Sequence, residues 1–198
     1  MRFTLALATL AVTSVSFAQN PITADGPFQI RYAANLNIGD SVVNLTNSGA
    51  SGNNICANVY TFDPAEELVS CCSCSITPNA LQSLSVVKSL ISNPLTPAVP
   101  TSVVIKIVAN TPASTCNASI AGTLVNGLVA WGTTIHANTT TSPATYYGTE
   151  TGFTPATLSA QEYNHITDTC GFIQSNGSGY GICKGCAAGG LGASTAVE

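Results

Sequence analysis

Charge is what this sequence has least of. Asp, Glu, Lys and Arg make up 7% of its 198 residues, where about 25% is usual for a globular protein. Only five side chains are Lys or Arg, and they are scattered. The clustered cations that grip nucleic acid or an anionic membrane surface are therefore missing. Disorder is excluded as well, because 45% of the residues are hydrophobic and a chain with little net charge collapses. Beyond the first residues there is no apolar run long enough to span a bilayer as a helix. The chain also lacks Gly-x-Ser-x-Gly, the turn that raises a serine nucleophile in many hydrolases.

What is present begins with Met1 and Arg2, an apolar run over residues 3–15, and Ser16-Phe17-Ala18. A charged start, a short apolar stretch and small residues at the end predict a signal peptide over 1–18, cut after Ala18. The run is shorter than the roughly 20 residues of a membrane anchor and is broken by Thr13, Ser14 and Ser16. Cleavage would leave four basic and nine acidic side chains. The expected location is secreted, extracellular or cell surface, without membrane insertion. In such an oxidising space the even set of Cys56, Cys71, Cys72, Cys74, Cys116, Cys170, Cys183 and Cys186 predicts four disulfides of unreadable connectivity. A domain of this length buries about 70% of its unfolded surface without covalent help. Bridges at about 2 to 4 kcal/mol each therefore come in addition to the core.

Short strands dominate the rest. Phe28, Ile30 and Tyr32 alternate with Gln29, Arg31 and Ala33, and after Asn37-Ile38-Gly39-Asp40 a second strand covers 41–46, which together read as a hairpin. Residues 47–54 form a loop, 55–62 a strand, and Asp63-Pro64 closes it. Residues 69–77, with Cys71-Cys72-Ser73-Cys74, read as a tight cross-linked loop, and Pro78 opens one helical turn over 78–82. Further strands are expected within 84–91, 101–109 and 124–136. The segment Ser159-Ala160-Gln161-Glu162 is a capping box, followed by Tyr163, Ile166, Cys170 and Ile173 at helical spacing. The pattern predicts a mainly β fold: an antiparallel β-sandwich, immunoglobulin-like or related, disulfide cross-linked, with one short C-terminal helix. Its organisation is a signal peptide over 1–18, an N-terminal extension over 19–30, a single β domain over 31–187, and a flexible glycine-rich tail over 188–198.

Several constellations have a chemical reading and a structural one. Cys183-Lys184-Gly185-Cys186 has the spacing of redox and zinc motifs, and with Cys71 and Cys74 it makes a formal set of four thiolates. A glycine-rich tail lacks the strand-to-helix setting of a redox motif, and export favours disulfides, so the expectation is no metal and no cofactor. Neighbouring Cα atoms are about 3.8 Å apart, too close for Cys71 and Cys72 to bridge each other. Each is expected to reach a different partner, Cys56 among them. His165 and Asp168 share a helix face, but with His136 they make no hydrolase set. Asp63, Glu66 and Glu67 lack the spacing of the best-known calcium loop and read as a solvated turn. Sequons stand at Asn44, Asn117, Asn138 and Asn176, about as many as composition alone yields. No enzyme is expected.

The run Asn58-Val59-Tyr60-Thr61-Phe62-Asp63-Pro64, then Cys71-Cys72-Ser73-Cys74, Thr77-Pro78-Asn79, Ser92-Asn93-Pro94-Leu95-Thr96 and Cys170-Gly171-Phe172-Ile173-Gln174, resembles a family of uncharacterised bacterial secreted proteins. The resemblance implies an exported, cysteine-rich protein and no activity. Scarce charge and many β-branched residues suit a surface that becomes covered, since edge strands are normally guarded by charges and interface cores lack them. The functional expectation is a structural or adhesive cell-surface protein, a pilus-like filament subunit exchanging residues 19–30 as a strand. The alternative is a monomeric module for carbohydrate or another surface ligand, with Trp131, Tyr146, Tyr147 and Tyr180 as binding aromatics.

Overall fold

The computed structural model describes residues 26–112 and 114–184 and the backbone of residues 187–188. The expected signal peptide, residues 19–25 of the extension and the tail beyond 188 lie outside the described residues.

Two antiparallel sheets pack face to face, and a helix covers the outer side of one, fitting a disulfide-stabilised β-sandwich. The strands are β1 (Phe28–Ala33), β2 (Val42–Asn47), β3 (Ile55–Phe62), β4 (Leu68–Ile76), β5 (Leu81–Ser85), β6 (Val103–Asn110), β7 (Leu128–Asn138), β8 (Thr145–Gly152), β9 (Thr154–Pro155) and β10 (Ala187–Ala188), with α1 (Ala160–Ser175) between the last two. The first sheet runs β4-β3-β6-β1-β9 and the second β10-β5-β2-β7-β8. Strands β3 and β6 are buried because both faces of the first sheet are covered. Ile55, Ala57 and Val59 meet Val43, Leu45 and Leu84 between the sheets. Tyr60 and Val108 meet Tyr163, Ile166 and Ile173 of α1 on the other side. Ser159 caps α1 by accepting from the Glu162 N–H at 3.1 Å, as the capping box predicts.

Several expectations change. Strands β1 and β2 are not a hairpin: β1 pairs with β6 and β9, β2 with β5 and β7, and the connection crosses between sheets. Strand β1 begins at Phe28 and pairs within its own chain, so residues 28–30 of the expected extension belong to the sandwich. The cysteine cluster is not a loop but β4, paired with β3 from Ile76 to Leu68. The helical turn expected over 78–82 is absent, with Leu81 and Gln82 already in β5; of the strand expected within 84–91, Leu84 and Ser85 belong to β5 and Val86–Leu90 is a π-helical turn. Ser85 accepts from the Lys88 N–H at 2.7 Å, and Asp40 accepts from the Val87 N–H at 2.9 Å. Strand β8 has no counterpart in the sequence reading.

The alternation of β4 explains the vicinal cysteines, since successive strand side chains point to opposite faces. Cys71 faces the helix and bridges Cys170, with Cα atoms 6.0 Å apart. Cys72 faces the interior and bridges Cys183, at 5.5 Å. Their partners differ, as expected, but Cys56 is not one of them; it bridges Cys116 at 5.3 Å. Cys74 is disulfide-bonded too, and Cys186 lies outside the described residues. Such bridges mark an oxidising compartment. Among the described residues no helix is long and apolar enough to cross a membrane.

Candidate functional site

The two sheets end differently at their margins. Strand β4, one edge of the first sheet, has its free side covered. Leu95 N–H donates to the Val69 carbonyl at 2.9 Å, Cys71 N–H to the Gly181 carbonyl at 2.9 Å, and Cys183 N–H to the Cys71 carbonyl at 3.2 Å. The covering segment is held there by the Cys72–Cys183 bridge. On the opposite side of the sandwich, β8 ends the second sheet. All eight of its residues, Thr-Tyr-Tyr-Gly-Thr-Glu-Thr-Gly, are exposed. Glu150 is its one charged residue, little guard against pairing with another strand.

Across from β8, β1 is also partly open. It pairs with β6 along its length, but with β9 only at Gln29 and Ile30, leaving the other side of Arg31, Tyr32 and Ala33 unpaired among the described strands. Between β1 and β8 lies a cleft of about 560 Å³ lined by Ile30, Arg31, Tyr32, Thr151, Gly152, Thr154 and Ala156. That volume falls in the range of ordinary ligand sites.

Strand β1 turns Gln29 and Arg31 toward the second sheet, and Arg31 lines the cleft. Gln29 Nε2 reaches the Leu128 carbonyl at 2.6 Å. Arg31 is 5% exposed. Its Nε donates to Thr151 Oγ1 at 3.3 Å, its Nη1 to Ser41 Oγ at 3.3 Å, and its Nη2 to the Gly132 carbonyl at 2.9 Å and Thr134 Oγ1 at 2.8 Å. All of these acceptors are neutral. Desolvation draws the Arg31 pKa below the ordinary arginine value, yet a guanidinium remains charged at neutral pH. Room for it comes from Gly132, where an added Cβ would sit 2.6 Å from the Val42 carbonyl and 2.9 Å from Arg31 Nη1. The sequence reading missed Arg31; the signal was a cation and a glutamine in one phase of a strand, against apolar residues in the other.

No family model, curated protein or solved structure matches this chain.

The four aromatics expected to form a binding cluster are dispersed. Tyr146 and Tyr147 stand next to each other on β8, both exposed, but on opposite faces by strand alternation. Tyr147 stacks on His136 with ring centroids 5.3 Å apart, and His136 Nε2 lies 3.0 Å from Thr149 Oγ1. Trp131, half-buried on β7, pairs with Gly152 and Asn44. Tyr180 is elsewhere, beside Asn93, Pro94 and Leu95 in a cleft of about 450 Å³. His165 is exposed, 3.8 Å from Glu162. Asp63 Oδ1 accepts from the Ala65 and Glu67 N–H groups at 2.9 and 3.0 Å, making a turn of the acidic cluster. The formal four-thiolate set is not assembled, since Cys71 and Cys183 bond to Cys170 and Cys72.

Proposed function

We propose that this chain is an extracellular structural or adhesive protein whose copies associate by adding a strand at the open side formed by β1 and β8. The observation that carries this reading is the contrast between edges: β4 is covered by a segment held with a disulfide, while β8 is bare along its length. Unpaired N–H and C=O groups of such an edge are a template for another strand. Scarce charge over the whole chain, 7%, favours a surface that becomes covered.

A signal peptide and secretion belong to the same reading and fit the disulfides. Sedimentation and negative-stain microscopy of the secreted protein test it. The expected result is large particles for the wild type and monomers for Gly148→Lys/Gly152→Lys. A Cβ at Gly152 meets nothing within 4 Å, and at Gly148 only Ile135 at 3.8 Å, so both lysines fit the fold while charging the edge. A wild type that stays monomeric at every concentration removes the proposal. A second reading, a monomeric binding module, is favoured by the exposed Tyr146 and the Tyr147–His136 stack on the β7–β8 hairpin. It predicts a monomer whose ligand affinity falls when these aromatics become alanine.

A further inference from the structure

The cleft between β1 and β8 holds a charge without a counter-charge. Arg31 is nearly fully buried, its four hydrogen bonds end on hydroxyl and carbonyl oxygens, and among the described residues the ion pairs are Lys106–Glu162 and His165–Glu162. A guanidinium has five N–H donors, so one on Nη1 is left over. Buried charges are normally paired, and the remaining N–H of a cation suits one oxygen of a carboxylate. Thr151 and Gly152 form the facing wall, and the β1 backbone from Arg31 to Ala33 is free for pairing on that side. An extended segment with one acidic side chain fits both features.

We infer that the occupant is the segment just before Gly26 of a second copy, with the Asp25 carboxylate on Arg31. This rests on the strand-addition reading above and names its contact. Three observations select that segment. Gly26, the first described residue, stands beside Pro155 of β9, on the same edge of the first sheet as the cleft. Of the 25 residues before Gly26, Asp25 is the one acid. Phe28 and Arg31 are three strand residues apart, about 10 Å at 3.3 Å per residue. Gly26 is further still from Arg31 along β1, so the proposal takes the carboxylate from a neighbour's segment, which can run extended along the open edge.

The test compares the secreted full-length chain with Asp25→Asn, Asp25→Glu and Gly152→Lys by sedimentation over a concentration series. Asp25 precedes the first strand in sequence, and a thermal midpoint equal to that of the wild type checks that each variant is folded. Asp25→Asn is expected to weaken association about tenfold or more, as loss of a buried charge-assisted contact does, and Asp25→Glu to retain most of it. In Arg31→Lys, a mixture of isotopically heavy and light chains treated with carbodiimide should give a mixed-isotope amide between residues 25 and 31. Association unchanged by Asp25→Asn but abolished by Gly152→Lys overturns the assignment of the segment and leaves strand addition standing. A cross-link found only within single chains also overturns it. A wild type that never associates removes both.

Discussion

Gly132 and Arg31 are 101 residues apart in sequence and make one device in space. The arginine crosses from β1 to the second sheet only because β7 has no side chain where the guanidinium passes. Gly132→Ala would push a methyl to 2.6 Å from the Val42 carbonyl, a backbone atom held by its sheet, and to 2.9 Å from Arg31. Relief requires the sheet or the guanidinium to shift. Overpacking of this kind costs about 1 to 3 kcal/mol, so the denaturation midpoint is expected to fall accordingly. Gly152→Ala, which meets open space, should change stability by less than about 0.5 kcal/mol. Equal midpoints for both variants would show that the crossing of Arg31 does not constrain β7. Little of this was legible beforehand, because alternation in β1 identifies a strand without saying which phase faces the second sheet. Here Gln29 and Arg31 are the interior phase, and Tyr32 is 61% exposed.

Helix α1 is tied to the first sheet and to the loop that follows β6 by four kinds of contact. Ile166 and Ile173 are buried against the sheet. Tyr163 accepts from the Gly122 N–H at 2.8 Å, and Lys106 pairs with Glu162 at 2.6 Å while lying 4.7 Å from the Phe62 ring centre. The Cys71–Cys170 bridge adds a covalent tie across 99 residues. Replacing both cysteines by alanine is expected to lower stability by about 2 to 4 kcal/mol. Because the bridge anchors the middle of α1, amide exchange should rise in the helix before the sheets. Removing Cys56–Cys116, which holds the loop carrying Gly122, should raise exchange in α1 less, and chiefly near Tyr163; a uniform rise in both cases would mean the helix does not open separately. The helix itself was readable, as its buried Tyr163, Ile166, Cys170 and Ile173 keep the spacing seen in the sequence. So were β3, β6 and β7, where apolar β-branched residues fill covered faces. Strand β4 was hidden because cysteine and serine occupy its buried positions. Strand β8 was hidden because, with every residue exposed, it has no apolar alternation to detect.

For the molecule as a whole, the disulfides and the edges belong to one arrangement. The segment beyond α1 returns across the free side of β4 and is locked there by Cys72–Cys183, so that margin is closed by the chain's own backbone. The β1–β8 margin has only the two residues of β9 across it. The proposed strand addition would therefore take place at the β1–β8 margin, and amide exchange distinguishes it from nonspecific clustering. Alternate N–H groups of an edge strand point away from its one partner, so in dilute protein those of β8 exchange fast. As concentration rises through the range in which particles sediment, the outward amides of β8 and of Arg31 to Ala33 should slow, while those of β4 stay constant because Gly181 and the Leu95 segment already occupy that edge. Slowing at β4, or particles that form with β8 still exchanging freely, would place the contact elsewhere. The open cleft around Arg31 would then need an occupant other than a strand of a second copy.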